Sequence, residues 1–447
     1  MSPRSAARLR LAAALLLAIA TGGPAMAEAP SALAARIVQS GDVTRLSFEV
    51  TARVEPRAFV LADPARAIVD LPEIRFEPAA LAALPAAVPA GAQGGRAGAA
   101  PDGRRVGQGL IQSYRFGAVG PGRSRVVIDL AGPARIVHAA SEPGPEGRFR
   151  LVVDLAPTDP VSFAVAAMEG RQVQGQVQGQ VQGQVQGQGL MRAAASAGAV
   201  ADPAAERMRR GDKPLIVIDP GHGGVDVGAQ TAGRPAEKEI VLEFARALAR
   251  KLEETGRFAA LLTREGDVFV SLPERVRIAR NAGAQLFLSI HADSLNEASV
   301  SGATVYTVSD KASDAHAARL AEKENIADKA AGFETMEDAS DVSDILFDLT
   351  RRETRAYSHV FARTLVSVWK EAAGLNKNPH RSAGFRVLQA PDVPSALLEL
   401  GYISHQKDAE LMNTPAWRDR TAGAVARSIE AFFALREPGG AAVAGGG

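Results

Sequence analysis

The sequence predicts two folded units of different class: a small all-β sandwich, then an α/β domain whose mixed sheet carries helices on both faces. Three observations predict this. Short period-2 apolar runs recur over the first third of the chain. A low-complexity tract interrupts the middle. Apolar, β-branched runs then alternate with helical periods toward the C-terminus.

The chain has 447 residues, enough for two or three domains. Its formal net charge of +1 gives no reason to expect nucleic acid as a partner. It has no cysteine, hence no disulfide and no thiolate ligand, so any zinc site must be built from histidine and carboxylates.

Residues 1–27 read as a secretory signal peptide. Arg4, Arg8 and Arg10 form a positive start, Leu11 to Ala20 an apolar run, and Ala25-Met26-Ala27 a small-x-small cleavage site. The run falls short of the about 20 residues a spanning helix needs, so no membrane span is expected after cleavage.

Residues 29–157 read as β. Leu46, Phe48 and Val50 alternate with Arg45, Ser47 and Glu49. One phrase recurs three times: Arg66-Ala67-Ile68-Val69-Asp70-Leu71, Arg125-Val126-Val127-Ile128-Asp129-Leu130 and Arg150-Leu151-Val152-Val153-Asp154-Leu155. Short strands separated by turn residues suggest a sandwich, with Ala79 to Gly103 as a mobile loop. The unit has one histidine, His138, and no carboxylate cluster, so it is expected to bind and not to catalyse.

Residues 158–212 read as a flexible linker. Four copies of Val-Gln-Gly-Gln run from Val173 to Gln188, and Ala- and Gly-rich sequence follows. Such a tract buries too little apolar area to offset the entropy of ordering it.

The α/β domain is expected over 213–437, with 438–447 as a disordered tail. Its strands are expected at Pro214–Ile218, Phe258–Thr263, Leu286–Ile290, Gly302–Val308 and Ala396–Leu400. Ile240, Val241, Phe244, Leu248 and Leu252 form one apolar stripe of a helix from about Glu237 to Glu254. Ser271 and Glu274 have capping-box spacing for a helix ending near Asn281.

Ligands of open α/β sheets sit beyond the strand C-termini. His222, after Ile216-Val217-Ile218-Asp219-Pro220-Gly221, and His291, after Leu288-Ser289-Ile290, both stand there. A buried, hydrogen-bonded histidine explains either one alone; the two together point to a shared metal. Glu237, close in chain to His222, is the third ligand expected, although helix capping also explains it. Two histidines, a carboxylate and one open position are the pattern of catalytic zinc. Glu399, inside the apolar strand Ser395-Ala396-Leu397-Leu398, is the candidate base, with a structural ion pair as the alternative.

These residues lie in phrases that bring a resemblance into view: IDPGHGG with GAQ, AEKEI, LPERVRIARNAGAQLFLSIHAD, LAEKENIAD and VLQAPDVPSALLELGYIS. The segment from Lys213 to about Arg436 resembles the zinc-dependent N-acetylmuramoyl-L-alanine amidases of the cell-separation type. Residues 29–157 resemble, more weakly, the N-terminal AMIN targeting domain often joined to them. The resemblance implies zinc held by His222, Glu237 and His291, and Glu399 as acid/base. It implies peptidoglycan as substrate, cut between N-acetylmuramic acid and L-alanine, in the periplasm with enrichment at the division septum. It also implies a LytM-type divisome activator as partner.

His405 stands where the family usually has Asn. The segment 309–355 is rich in acidic residues and reads either as a solvated helical insert or as an inhibitory lid of the kind this family carries. Glu322 and Glu324 are its candidate blocking carboxylates. Three other readings compete: a zinc peptidase acting on the stem, a non-catalytic wall-binding regulator and a structural envelope protein.

Overall fold

The computed structural model describes residues 29–77, 104–174 and 213–436, apart from 232–233, 296, 298, 334–344 and 371. The expected signal peptide, the whole Ala79–Gly103 loop, nearly all of the repeats and the 438–447 tail lie outside the described residues. Among the described residues no helix is long and apolar enough to cross a membrane.

The N-terminal unit stacks two five-stranded sheets. One holds β1 (Ser31–Ser40), β2 (Val43–Val50), β5 (Arg75–Phe76), β9 (Ala134–Pro143) and β10 (Phe149–Pro157), in the order β5-β1-β2-β10-β9. The other holds β3 (Arg57–Leu61), β4 (Arg66–Pro72), β6 (Arg105–Val106), β7 (Ile111–Gly120) and β8 (Arg123–Leu130), in the order β3-β4-β8-β7-β6. Period-2 alternation sends Leu46, Phe48 and Val50 into the core between the sheets, facing Val69, Val126 and Ile128. The three copies of the repeated phrase are β4, β8 and β10. The apolar residues of β4 and β8 that point the other way, Ile68 and Val127, form a separate cluster with Val225, Phe269 and Ala331 of the second unit. The sandwich therefore has a second apolar face, and that face is covered by the α/β domain.

The expected linker start at 158 is corrected. Residues 160–174 form a helix, α1. Asp159 caps it, its Oδ1 accepting from the amides of Val161 and Ser162 at 3.0 and 2.9 Å, and Pro160 follows at a position that needs no donor. Phe163 and Ala167, one turn apart, bury into the sandwich core, which offsets the ordering entropy that the repeats cannot.

The second unit has a six-stranded mixed sheet made of β11 (Leu215–Pro220), β12 (Ala259–Leu262), β13 (Leu286–His291), β14 (Ala303–Val308), β15 (Leu375–Ala383) and β16 (Ser395–Glu399). Their order is β12-β11-β13-β16-β14-β15, and only β14 against β16 is antiparallel. Alternation again sorts side chains, here into two dry cores. Ile216 and Ile218 pack under α2 (Glu237–Glu254), α6 (Ile345–Trp369) and α8 (Pro415–Ala434). Leu215 and Val217 pack on the opposite face with Leu272 and Ala279 of α3 (Leu272–Asn281) and Leu320 of α4 (Ala315–Asn325). Burial on both faces is why these strands read as continuous apolar runs.

Two further differences from expectation have local causes. The strand β15 carries Asn376, Lys377, Asn378 and Pro379 on the sheet edge, where polar residues and proline are tolerated, so no apolar run marks it. The Ser271–Glu274 capping box does not form. Ser271 makes no side-chain cap bond, and Asp328 of α5 (Ala327–Ala330) caps α3 instead, its Oδ1 accepting from Leu272 N at 2.9 Å.

If α1 is part of the sandwich, Phe163→Ala should lower the stability of the N-terminal unit by about 3 kcal/mol. Thermal unfolding of the full chain measures this, and an unchanged first transition would return α1 to the linker.

Candidate metal centre

The site begins with a buried carboxylate under a tight turn. Asp219, fully buried near the end of β11, accepts from Thr263 Oγ1 at 2.5 Å, Arg275 Nη1 at 2.7 Å and Ser289 Oγ at 2.8 Å. Arg275 also donates to the carbonyls of Pro220 and His222, both at 2.8 Å. Arg264 donates to those of Pro220 and Gly221. These bonds hold His222 at φ 58°, a left-handed conformation that a β-branched or bulky side chain rarely adopts. Gly221 is needed because a Cβ there would lie 2.5 Å from the His291 ring.

His222 Nδ1 is hydrogen-bonded to Asp226 Oδ2 at 2.9 Å, which leaves Nε2 facing inward. Glu237, fully buried at the start of α2, accepts from Ala229 N through Oε2 at 2.8 Å and from Ala292 N through Oε1 at 2.9 Å. Its Oε1 lies 3.2 Å from His222 Nε2 and 3.2 Å from His291 Nδ1. Burial opposes its charge, but the two imidazoles outweigh that and hold the carboxyl well below the usual range.

Glu399 ends β16 directly beside His291 in the parallel register of β13 and β16. It is fully buried, and its Oε2 accepts from Asp293 N at 3.2 Å. Burial, with Asp293 and Glu237 close by, pushes its carboxyl well above the usual range. Burial likewise raises the Asp293 carboxyl to about 6, against the opposing pull of Lys323.

Of the two acidic residues of α4, Glu324 is buried in the site and Glu322 is exposed. Glu324 Oε2 lies 3.3 Å from His291 Nδ1 and 3.7 Å from His222 Nε2. Lys323 beside it forms an ion pair with Asp293. The ligand atoms of His222, His291 and Glu324 all lie within 4.8 Å of one another, and Glu237 Oε1 lies beside both histidines.

These residues fit a divalent metal. His222 Nε2, Glu324 Oε1 and Glu399 Oε1 are buried without a hydrogen-bond partner, a cost that buried polar atoms rarely bear unless something binds there. Two imidazoles with carboxylates and no thiolate are a donor set suited to zinc.

The structure thus brings His222, Glu237, His291, Glu399 and Glu324 together and leaves Glu322 outside. Sequence reasoning missed Asp226, Asp293, Lys323 and Arg275. Asp226 and Asp293 were visible as carboxylates four and two residues after the two histidines. Arg275 carries no signal, because its role depends on three strands meeting. His405 caps α7 (Gln406–Met412), its Nδ1 accepting from Asp408 N at 3.4 Å, a local task that asparagine also performs.

A family profile described as N-acetylmuramoyl-L-alanine amidase matches residues 216–431. The chain is 30% identical to the N-acetylmuramoyl-L-alanine amidase AmiC of Neisseria meningitidis serogroup B, over 95% of this chain and 96% of that one. It is 37% identical to the amidase AmiA of Escherichia coli K12, over 50% of this chain and 78% of that one. Among solved structures, the amidase AmiC2 of Nostoc punctiforme is 27% identical, covers 49% of this chain and 97% of its own, and superposes with a TM-score of 0.35.

Removing the Arg275 guanidinium should leave Asp219 buried and unpaired. Arg275→Met is expected to cost about 3–5 kcal/mol in urea unfolding of the α/β domain; a loss below about 1 kcal/mol would mean that the turn is held by other contacts.

Proposed function

Since the chain belongs to the N-acetylmuramoyl-L-alanine amidase family, we propose that it is a zinc hydrolase held inactive by its own Glu324. Peptidoglycan is its substrate, the bond cut joins N-acetylmuramic acid to L-alanine, and cell-wall cleavage during cell separation is its task. The reading includes secretion to the periplasm, carried from the signal-peptide pattern of residues 1–27, and an activating protein partner, carried from the resemblance of the sequence.

The observation that supports it is the convergence of His222 Nε2, His291 Nδ1 and Glu237 Oε1 at three element ends, with Glu399 on the next strand. These three residues would hold zinc, which supplies polarisation of the amide carbonyl and an acidified water. Asp226 fixes the His222 tautomer, and the amides of Ala229 and Ala292 orient both oxygens of Glu237. Glu399, poised by its raised pKa, accepts a proton and returns it to the leaving alanine nitrogen. Catalytic zinc keeps one position open. The Glu324 carboxylate stands beside both histidines, where it would close that position.

Glu399→Ala should keep its zinc by elemental analysis and lose at least about 10²-fold in hydrolysis. His222→Ala should lose both metal and activity. A digest of purified peptidoglycan, read by mass spectrometry, should release stem peptides beginning with L-alanine. A chelator should abolish them and Glu324→Ala should increase them; shortened stems would move the enzyme to the peptidases.

A further inference from the structure

The segment that carries Glu324 continues through α5 and Ala331, Gly332 and Phe333 onto the outer face of the β4–β8–β7 sheet. Three arginines of that sheet donate to successive main-chain carbonyls. Arg66 donates to Lys329 O, Arg115 Nε to Ala330 O at 2.7 Å, and Arg125 Nη1 to Gly332 O at 2.9 Å. Gln174 of α1 donates to Gly332 O as well, at 2.7 Å. The Lys329 carbonyl also accepts from Gly332 N at 2.9 Å, and carbonyls at a helix end carry partial negative charge with spare lone pairs, so guanidinium donors match them.

These arginines are themselves built in. Arg66 and Arg125 are almost wholly buried. Arg125 is held by a two-pronged pair with Asp70 at 2.6 and 3.0 Å, and Arg115 by Asp129 at 3.0 Å. Both aspartates, and Arg66 and Arg125, belong to the first two copies of the repeated phrase. The apolar contacts agree with the polar ones. The Arg125 guanidinium lies 4.3 Å from the centre of the Phe333 ring, which stacks on Phe269 at 5.4 Å. Gly332 has φ 76°, and a Cβ on it would lie 2.6 Å from Ile68 Cδ1.

We infer that the N-terminal sandwich is a working part of the lock: its arginine face clamps residues 329–333 and so keeps Glu324 seated among the metal-binding residues. The inference deepens the proposed self-inhibition and rests on it. Glu324 lies only five residues before Lys329, so releasing the clamp frees the chain that positions it. The sandwich then does more than place the enzyme, because any ligand that competes for its arginine face also unseats the lid.

The test uses the full chain. Arg66→Gln with Arg115→Gln opens the clamp from the sandwich side. Phe333→Ala opens it from the lid side and leaves the sandwich unaltered, which keeps the test valid if the arginine variant unfolds. Each is read by basal release of soluble fragments from labelled peptidoglycan and by amide hydrogen exchange over 315–333, beside Glu324→Ala. Both clamp variants are expected to raise release at least about fivefold, the low end of usual coupling between sites, and to speed exchange in the lid. If Glu324→Ala raises release while Phe333→Ala leaves release and exchange flat, the clamp is overturned and self-inhibition stands. If Glu324→Ala leaves release flat as well, self-inhibition falls and the clamp with it.

Discussion

The arrangement depends on one carboxylate that no solvent reaches. An ionised Asp219 in that position would be prohibitively costly unless both its oxygens were engaged. Thr263 from beyond β12, Arg275 from α3 and Ser289 from β13 engage it, so three elements are drawn to a single point. Arg275 is the shared member. Its Nη1 and Nη2 also donate to the main chain of the next turn, and His222 keeps a disfavoured backbone angle because its surroundings over-determine it. The His222 imidazole is thus placed by an ion pair that never touches its ring.

Around that point, two equally buried glutamates are driven in opposite directions. Desolvation disfavours charge on both. Glu237 is rescued by imidazoles on either side, while Glu399 has one main-chain amide and acidic neighbours. The outcome is one carboxyl that gives up its proton more readily than usual and one that holds it more tightly, a division of labour set by surroundings and not by residue type.

The buried strands of the α/β domain were legible because both their faces are dry, and α2 because its stripe meets one core. The strand ends carrying His222, His291 and Glu399 followed directly. What stayed hidden depends on partners distant in sequence. The edge strand β15 has no pattern of its own, since hydrogen bonding along β14 sets its place. The cap of α3 comes from Asp328, 56 residues away, so a local motif at Ser271 pointed to the wrong donor. The choice between Glu322 and Glu324 needed the face of α4 that meets the site. The helix α1 was missed for another reason: the Asp-Pro start signal was present, but the repeats that follow obscured it.

The arginines of the sandwich address carbonyl oxygens, which every residue possesses. Recognition of this kind is indifferent to the identity of the side chains at Lys329 and Ala330. Drift at these positions is therefore neutral as long as the backbone path survives. Gly332 is the exception, because its left-handed angle and the nearness of Ile68 exclude a side chain. Across descendants of such a chain, Lys329 and Ala330 are free to change their side chains, while Gly332 keeps its bare backbone and Phe333 its ring against Arg125.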